Sequence, residues 1–236
     1  MRGIRLGATA AVFAFAAAGF ARAEDAPKAH DPWAAFKEGS TATHKTTTKA
    51  AGAPDQVEEE RTTIVKLTEK EVTLKMEKKV GEAWEATEVK MPRVFTMPEG
   101  MEMPKPPTPE VLGEEKLKID DTEYAVKKVK TTYPGGMTTI SWENKDLGSL
   151  KSETTMGGDD KTTTVVTAVA KKVSVGGKEL VCRETKTTTS MMGTETTNTL
   201  LTSDGVIGGT VRTESTSKTP AGTQSMVEEL TAFETK

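Results

Sequence analysis

The second half of the chain contains an internal duplication, which constrains the fold more than any other feature. Residues 122–128 (TEYAVKK) return 56 positions later as residues 178–184 (KELVCRE). Residues 148–155 (GSLKSETT) return 61 positions later as residues 209–216 (GTVRTEST). Recurrence at such a spacing is typical of proteins that repeat one supersecondary unit. The sequence therefore predicts two similar units, residues 114–174 and 175–236.

The residue types inside these units favour β-strands. Threonine is by far the commonest residue, and its branched side chain suits the half-solvated face of a sheet. Several threonine-rich runs lead into Val, Leu and Ile at a period of two, the period of a strand. Turn residues such as Asp120-Asp121, Gly157-Gly158 and Gly176-Gly177 separate the runs, so neighbouring strands are expected to pair antiparallel. We predict an all-β, up-and-down antiparallel meander with essentially no helix, curled into a half-barrel or barrel-like sheet.

The first half predicts a further β unit, interrupted before the duplication. Residues 31–90 have the same alternating pattern and are interpreted as a degenerate copy of the unit. Residues 91–113 contain six prolines, which cannot donate a backbone hydrogen bond to a sheet. This segment is therefore predicted to be a linker or flap. Residues 114–236 are expected to form one continuous sheet with residues 31–90.

The N-terminus has the pattern of a secretory signal peptide. Arg2 and Arg5 precede an apolar run over residues 6–20, and small residues at Ala21 and Ala23 suit signal peptidase. The run is shorter than the roughly 20 apolar residues that a membrane span needs. We predict cleavage after Ala23, a disordered leader over residues 24–30, and a periplasmic or extracellular location. An uncleaved N-terminal anchor is the alternative.

Charge and histidine content make several classes of function poor candidates. Removing residues 1–23 takes away three arginines and no acid, so the net charge changes from −3 to −6. A mildly acidic chain is not suited to neutralising the phosphates of nucleic acid. His30 and His44 are the two histidines, and neither lies in a pattern that places a general base beside a partner. We predict a protein that is not an enzyme and has no cofactor.

A candidate apolar site follows from the duplication. Tyr124 and Val126 in the first copy correspond to Leu180 and Cys182 in the second, and each pair lies on one face of a strand. Trp142 is an aromatic side chain of the first copy that could join them. We predict that these five residues line an apolar cavity, with a filled core as the alternative. A single cysteine excludes an intramolecular disulfide framework, and burial as a small apolar residue is the expected state of Cys182.

Metal binding is a remote alternative. Met97, Met101 and Met103 place three thioethers close together in the proline-rich segment, and thioethers select Cu(I). Methionines in such a segment also pack adaptably on apolar surfaces. The paired acids in the turns lack the dense spacing of a calcium loop and are interpreted as surface turns.

Two resemblances accompany this pattern. Residues 177–182 (GKELVC), together with Trp142 and residues 148–153 (GSLKSE), resemble the repeat unit of exported bacterial β-repeat proteins of unknown function. The antiparallel layout also distantly resembles the periplasmic lipoprotein-carrier β-clam, a half-barrel whose concave apolar face holds acyl chains. Helices line the cavity of those carriers, and none is predicted here. The expected function is an exported, non-enzymatic β-module that binds an apolar small molecule or an envelope protein. A purely structural or surface-interaction protein is the alternative.

Overall fold

Thirteen β-strands make up the regular secondary structure of residues 31–93, 107–220 and 222–236, the parts of the chain that the computed structural model describes. The strands are β1 (Thr41–Ala50), β2 (Gln56–Leu67), β3 (Glu71–Val80), β4 (Ala83–Pro92), β5 (Glu110–Ile119), β6 (Thr122–Thr132), β7 (Thr138–Asn144), β8 (Gly148–Gly157), β9 (Asp160–Val175), β10 (Lys178–Met191), β11 (Thr194–Thr202), β12 (Thr210–Thr219) and β13 (Gly222–Glu234).

All thirteen strands belong to one antiparallel sheet. Its spatial order is β4-β3-β2-β1-β13-β12-β11-β10-β9-β8-β7-β6-β5, so consecutive strands are neighbours except that β1 pairs with β13. The edges, β4 and β5, are not paired with each other, and the sheet stays open. For the described residues, the predicted fold class, an all-β antiparallel meander with essentially no helix, is confirmed. Within the described ranges, no helix has the length and apolar character needed to cross a bilayer.

The sheet is curled around β9. In a flat sheet, strands four places apart lie roughly 19 Å from one another, at about 4.8 Å per strand. Here β9 approaches both β13 and β5, each four places away, with Cα atoms within 8 Å. The sheet therefore bends into two troughs that share β9, one formed by β5–β9 and the other by β9–β13.

Two apolar clusters lie on the curled sheet, cluster two in the β5–β9 trough and cluster one in the β9–β13 trough and on β1–β3 beyond it. Cluster one is made of buried residues from both halves of the chain: Phe36, Ala42, Ile64, Val72, Leu74, Val175, Leu180, Cys182, Leu201, Val206, Ile207, Val211 and Leu230. Cluster two is smaller: Ile119, Val126, Trp142, Leu150 and Val166, with Leu117, Tyr124, Ile140, Leu147 and Val169 packed against it. The two clusters share no residue, so the curled sheet has two cores.

The threonine-rich ends of the strands lie away from these cores. Thr162 pairs with Thr189 and Thr164 with Thr187 across β9 and β10, and in each pair the two Oγ1 atoms are 3.1 Å apart. Threonines opposite one another in an antiparallel pair form such hydrogen bonds readily. The abundant threonine therefore covers the half-exposed part of the sheet with paired hydroxyls.

The duplicated segments fall on corresponding strands. Residues 122–128 and 178–184 begin β6 and β10, while residues 148–155 and 209–216 begin β8 and β12. The predicted linker, residues 91–113, overlaps both edge strands, because β4 continues to Pro92 and β5 begins at Glu110. Proline is tolerated on an edge strand, where one side of the backbone has no partner.

Candidate functional site

The hairpin formed by β7 and β8 is shorter at one end than the strands on either side of it. On this side the last β6–β7 pair is Lys127 with Glu143, and the last β8–β9 pair is Lys151 with Val165. Residues 122–126 of β6 and 166–175 of β9 extend beyond these pairs. The ends of the β5–β6 and β9–β10 hairpins therefore project past the β7–β8 turn and leave a space between them.

This space is a cleft of about 500 Å³, here called the β6–β9 cleft. It is lined by Asp120, Thr122, Tyr124, Ala168, Val169, Ala170, Lys171 and Glu184. Its size lies in the range of roughly 300–1,000 Å³ that is usual for small-molecule sites. The aromatic ring of Tyr124 and the small side chains of β9 form the apolar half of its wall, and polar and charged side chains form the other half.

A fixed ion pair marks the polar side of the cleft. The Nζ atom of Lys171 lies 2.5 Å from Oε1 of Glu184, and the Thr167 hydroxyl donates to Oε2 at 2.8 Å. The hydrogen bond from Lys171 is the main reason that the pKa of Glu184 is lowered. Glu184 is therefore ionised at neutral pH, and the cleft presents a polar group at a defined position beside its apolar walls.

Trp142 is held firmly in the core behind the cleft. Its indole N–H donates to Glu115 Oε1, and the Nζ atoms of Lys128 and Lys151 lie 4.8 and 4.3 Å from its ring centroid. Trp142 is only 6 % exposed. Hydrogen bonding and cation–π contacts therefore fix this ring as part of the support for Tyr124.

The structure places the five candidate residues in two separate clusters. Tyr124 lines the cleft, and Val126 and Trp142 are buried in cluster two beside it. Leu180 and Cys182 belong to cluster one. Cys182 is 1 % exposed, and burial raises the pKa of its thiol.

Sequence reasoning missed the opposite wall of the cleft. Residues 168–171 and Glu184 line it, but a single strand pattern over β9 gives no sign that part of the strand lacks a neighbour. The available signal was a difference in length, since β9 has 16 residues and β8 only 10. A strand that is longer than its neighbour leaves part of its backbone without a hydrogen-bonding partner on that side.

The turn that bounds the cleft is tied to the strands on both sides. Asn144 Nδ2 donates to the Ala125 carbonyl of β6 at 2.9 Å. From β10, the Arg183 guanidinium donates to the carbonyls of Leu147 and Ser149 at 2.9 and 2.6 Å. Burial lowers the pKa of Arg183. These bonds hold the short hairpin in place, so the cleft is a preformed feature of the sheet.

Other candidate groups lie elsewhere. His44 is in β1, with Nε2 2.9 Å from the Thr210 carbonyl oxygen. No three His, Cys, Asp or Glu side chains among the described residues are grouped as metal ligands would be. Met97, Met101 and Met103 lie outside the described residues, so Cu(I) binding stays a prediction.

The chain matches no protein-family model and no curated protein. Among solved structures, it is similar to a LolA-superfamily protein from Nitrosomonas europaea. The sequences are 12 % identical, the match covers 87 % of this chain and 90 % of that chain, and the TM-score is 0.32. Likeness at this level shows neither a shared family nor a shared ligand.

Proposed function

We propose that this protein is an exported, non-enzymatic β-module that binds the apolar part of a small ligand in the β6–β9 cleft. One observation supports this most directly: a preformed cleft of about 500 Å³ whose wall is half apolar and half polar, with an ion pair at its side. Such a combination suits an amphiphile, whose apolar part meets Tyr124 and β9 while its polar group reaches Lys171 or Glu184. Export to the periplasm or beyond is part of the proposal and rests on the signal-peptide pattern.

The walls set the scale of the affinity. A ligand that buries about 200 Å² of apolar surface gains roughly 5 kcal/mol at ~25 cal/mol per Å². Lost translational and rotational freedom offsets part of that gain. We therefore expect a dissociation constant no tighter than about 0.2 mM, and in the millimolar range, for a simple apolar probe, with tighter binding for a ligand whose polar group also pairs.

The test is a substitution that fills the cleft with a larger side chain. Binding of the fluorescent probe anilinonaphthalene sulfonate to residues 24–236 is measured with and without it. Ala170→Phe puts a large ring where a small side chain lines the cleft. Val181→Phe is the matched control, since Val181 is 56 % exposed and does not line the cleft. We expect the unaltered protein and Val181→Phe to bind the probe and Ala170→Phe to lose binding. Equal binding by Ala170→Phe, or none by the unaltered protein, contradicts the proposal.

A structural or surface-interaction role is the second candidate, and the edge strand β5 favours it. Val111 and Leu112 are 53 % and 44 % exposed on this edge, and an apolar strand edge can pair with another chain. This role predicts concentration-dependent assembly that Val111→Lys abolishes. Sedimentation of the two proteins over a range of concentrations checks it.

A further inference from the structure

The two copies of the unit differ at one loop. In the first copy, β7 and β8 are joined by three residues, 145–147. In the second copy, the corresponding strands β11 and β12 are joined by seven residues, 203–209. The longer loop contains Val206 and Ile207, whereas the shorter loop contains a single aliphatic residue, Leu147, which packs against cluster two.

The longer loop folds inward as a plug. Val206 and Ile207 are 2 % and 5 % exposed and belong to cluster one with Leu180 and Cys182. Backbone bonds close the loop on itself, with Ser203 N donating to Gly209 O at 2.8 Å. A Cβ built on Gly205 would lie 3.4 Å from Leu180 Cδ2, so the loop backbone lies against the start of β10.

The plug occupies the place that corresponds to the β6–β9 cleft. The cleft lies between the start of β6, at Tyr124, and the end of β9. The plug contacts the start of β10, where Leu180 corresponds to Tyr124. It also lies beside the end of β13: Leu230 belongs to the same cluster, and the hydroxyl of Thr235, the residue after the strand, donates to the Gly205 carbonyl at 3.2 Å. In the second copy, two branched aliphatic side chains thus fill the space that is a cleft in the first copy.

From this correspondence we infer that the cleft takes a short branched aliphatic group, and that the plug covers a second site of the same kind. The inference rests on the proposed function for the identity of the ligand. Tyr124 in place of Leu180, and the Lys171–Glu184 pair, add polar partners that the plugged site does not need. The ligand class is therefore a branched aliphatic group with a small polar head, such as an alcohol.

The test removes the plug and counts sites. Isoamyl alcohol is the probe and n-pentanol, its unbranched isomer, is the control; chemical shifts in NMR spectra report where each binds. We expect one isoamyl alcohol site in the unaltered protein, beside Tyr124. In Val206→Ala/Ile207→Ala a second site appears beside Leu180 and Cys182, and in both proteins n-pentanol binds severalfold more weakly. A folded double variant without a second site, or equal binding of the two alcohols, overturns the inference.

A loop exchange gives a second readout that does not depend on the stability of the double variant. Replacing residues 145–147 by residues 203–209 should place Val206 and Ile207 in the cleft and abolish its binding of isoamyl alcohol. Retention of that binding by the exchanged protein overturns the inference. If the unaltered protein binds no alcohol and the double variant binds one, the proposed function fails while the plugged site stands.

Discussion

Removing buried side chains from the two apolar clusters should destabilise the protein independently. Ile64 in cluster one and Leu150 in cluster two are both 0 % exposed. Replacement by alanine deletes three carbon atoms at either position, which costs about 2.4 kcal/mol at ~0.8 kcal/mol per buried carbon group. A residual void of about 60 Å³ adds about 1.5 kcal/mol at ~24 cal/mol per Å³. We expect each variant to lose roughly 3–4 kcal/mol of unfolding free energy.

Urea unfolding followed by tryptophan fluorescence and circular dichroism measures these losses. Val65→Ala is the matched control, because Val65 follows Ile64 in β2 and is 37 % exposed; its loss should stay below about 1 kcal/mol. Since the clusters share no residue, Ile64→Ala and Leu150→Ala should add to within about 0.5 kcal/mol. Ile64→Ala with Leu74→Ala should not add, because these residues are paired across β2 and β3 in one cluster.

Two results would refute this reasoning. An Ile64→Ala loss no larger than that of Val65→Ala would mean that cluster one is not a close-packed core. A large interaction free energy between Ile64→Ala and Leu150→Ala would mean that the two clusters behave as a single packed unit. If there are two independent cores, each single variant should lose a large part of the unfolding free energy, and the two losses should add in the double variant.

Two further predictions concern titratable groups. Glu77 is bound by Arg61 Nε at 2.8 Å and by Lys75 Nζ at 2.9 Å, and chiefly the Arg61 hydrogen bond lowers its pKa from 4.5 to about 2. A lowered carboxyl pKa stabilises the fold above the ordinary value and loses that effect as pH falls through the folded value. Urea midpoints should therefore fall between about pH 5 and pH 2, and less so in Glu77→Gln; an equal fall in both proteins counts against the ion-pair assignment. The buried Cys182 thiol, whose pKa is raised, should react with a disulfide reagent only as fast as the protein opens. A reaction in native buffer as fast as in urea would show that the thiol is accessible.

Alternation and turn residues predict most of the strands, but not the edges. β4 has little signal of its own in the sequence, because its side chains are mostly exposed and follow no regular alternating burial pattern. The exposed β5 begins at Glu110, inside the segment predicted to be a linker or flap, for the same reason. An edge strand buries little, so hydrophobic periodicity cannot indicate it. The pairing of β1 with β13 also has no local signal, since it joins the two ends of the meander.

The candidate site was predictable only in part. Tyr124 was found because the duplication aligns it with Leu180, and it lines the cleft. The wall formed by residues 168–171 depends on where β8 ends beside β9. This strand register follows from the lengths of the hairpins, which cannot be predicted from the sequence pattern. Val206 and Ile207 directly follow the turn residues Ser203, Asp204 and Gly205, so the local sequence does not indicate that they are buried. Their burial is a property of the loop's path through the trough.

The pairing of the first strand with the last affects how the chain can fold. β1 has β2 on one side and β13 on the other, with Thr41 opposite Glu234, so its second partner is the last of the thirteen described strands along the chain. The four strands at the N-terminus must wait for the rest of the chain before they join the sheet. Contacts so distant in sequence are associated with slow folding. The docking of β1 onto β13 is therefore expected to be a late step in the formation of the sheet.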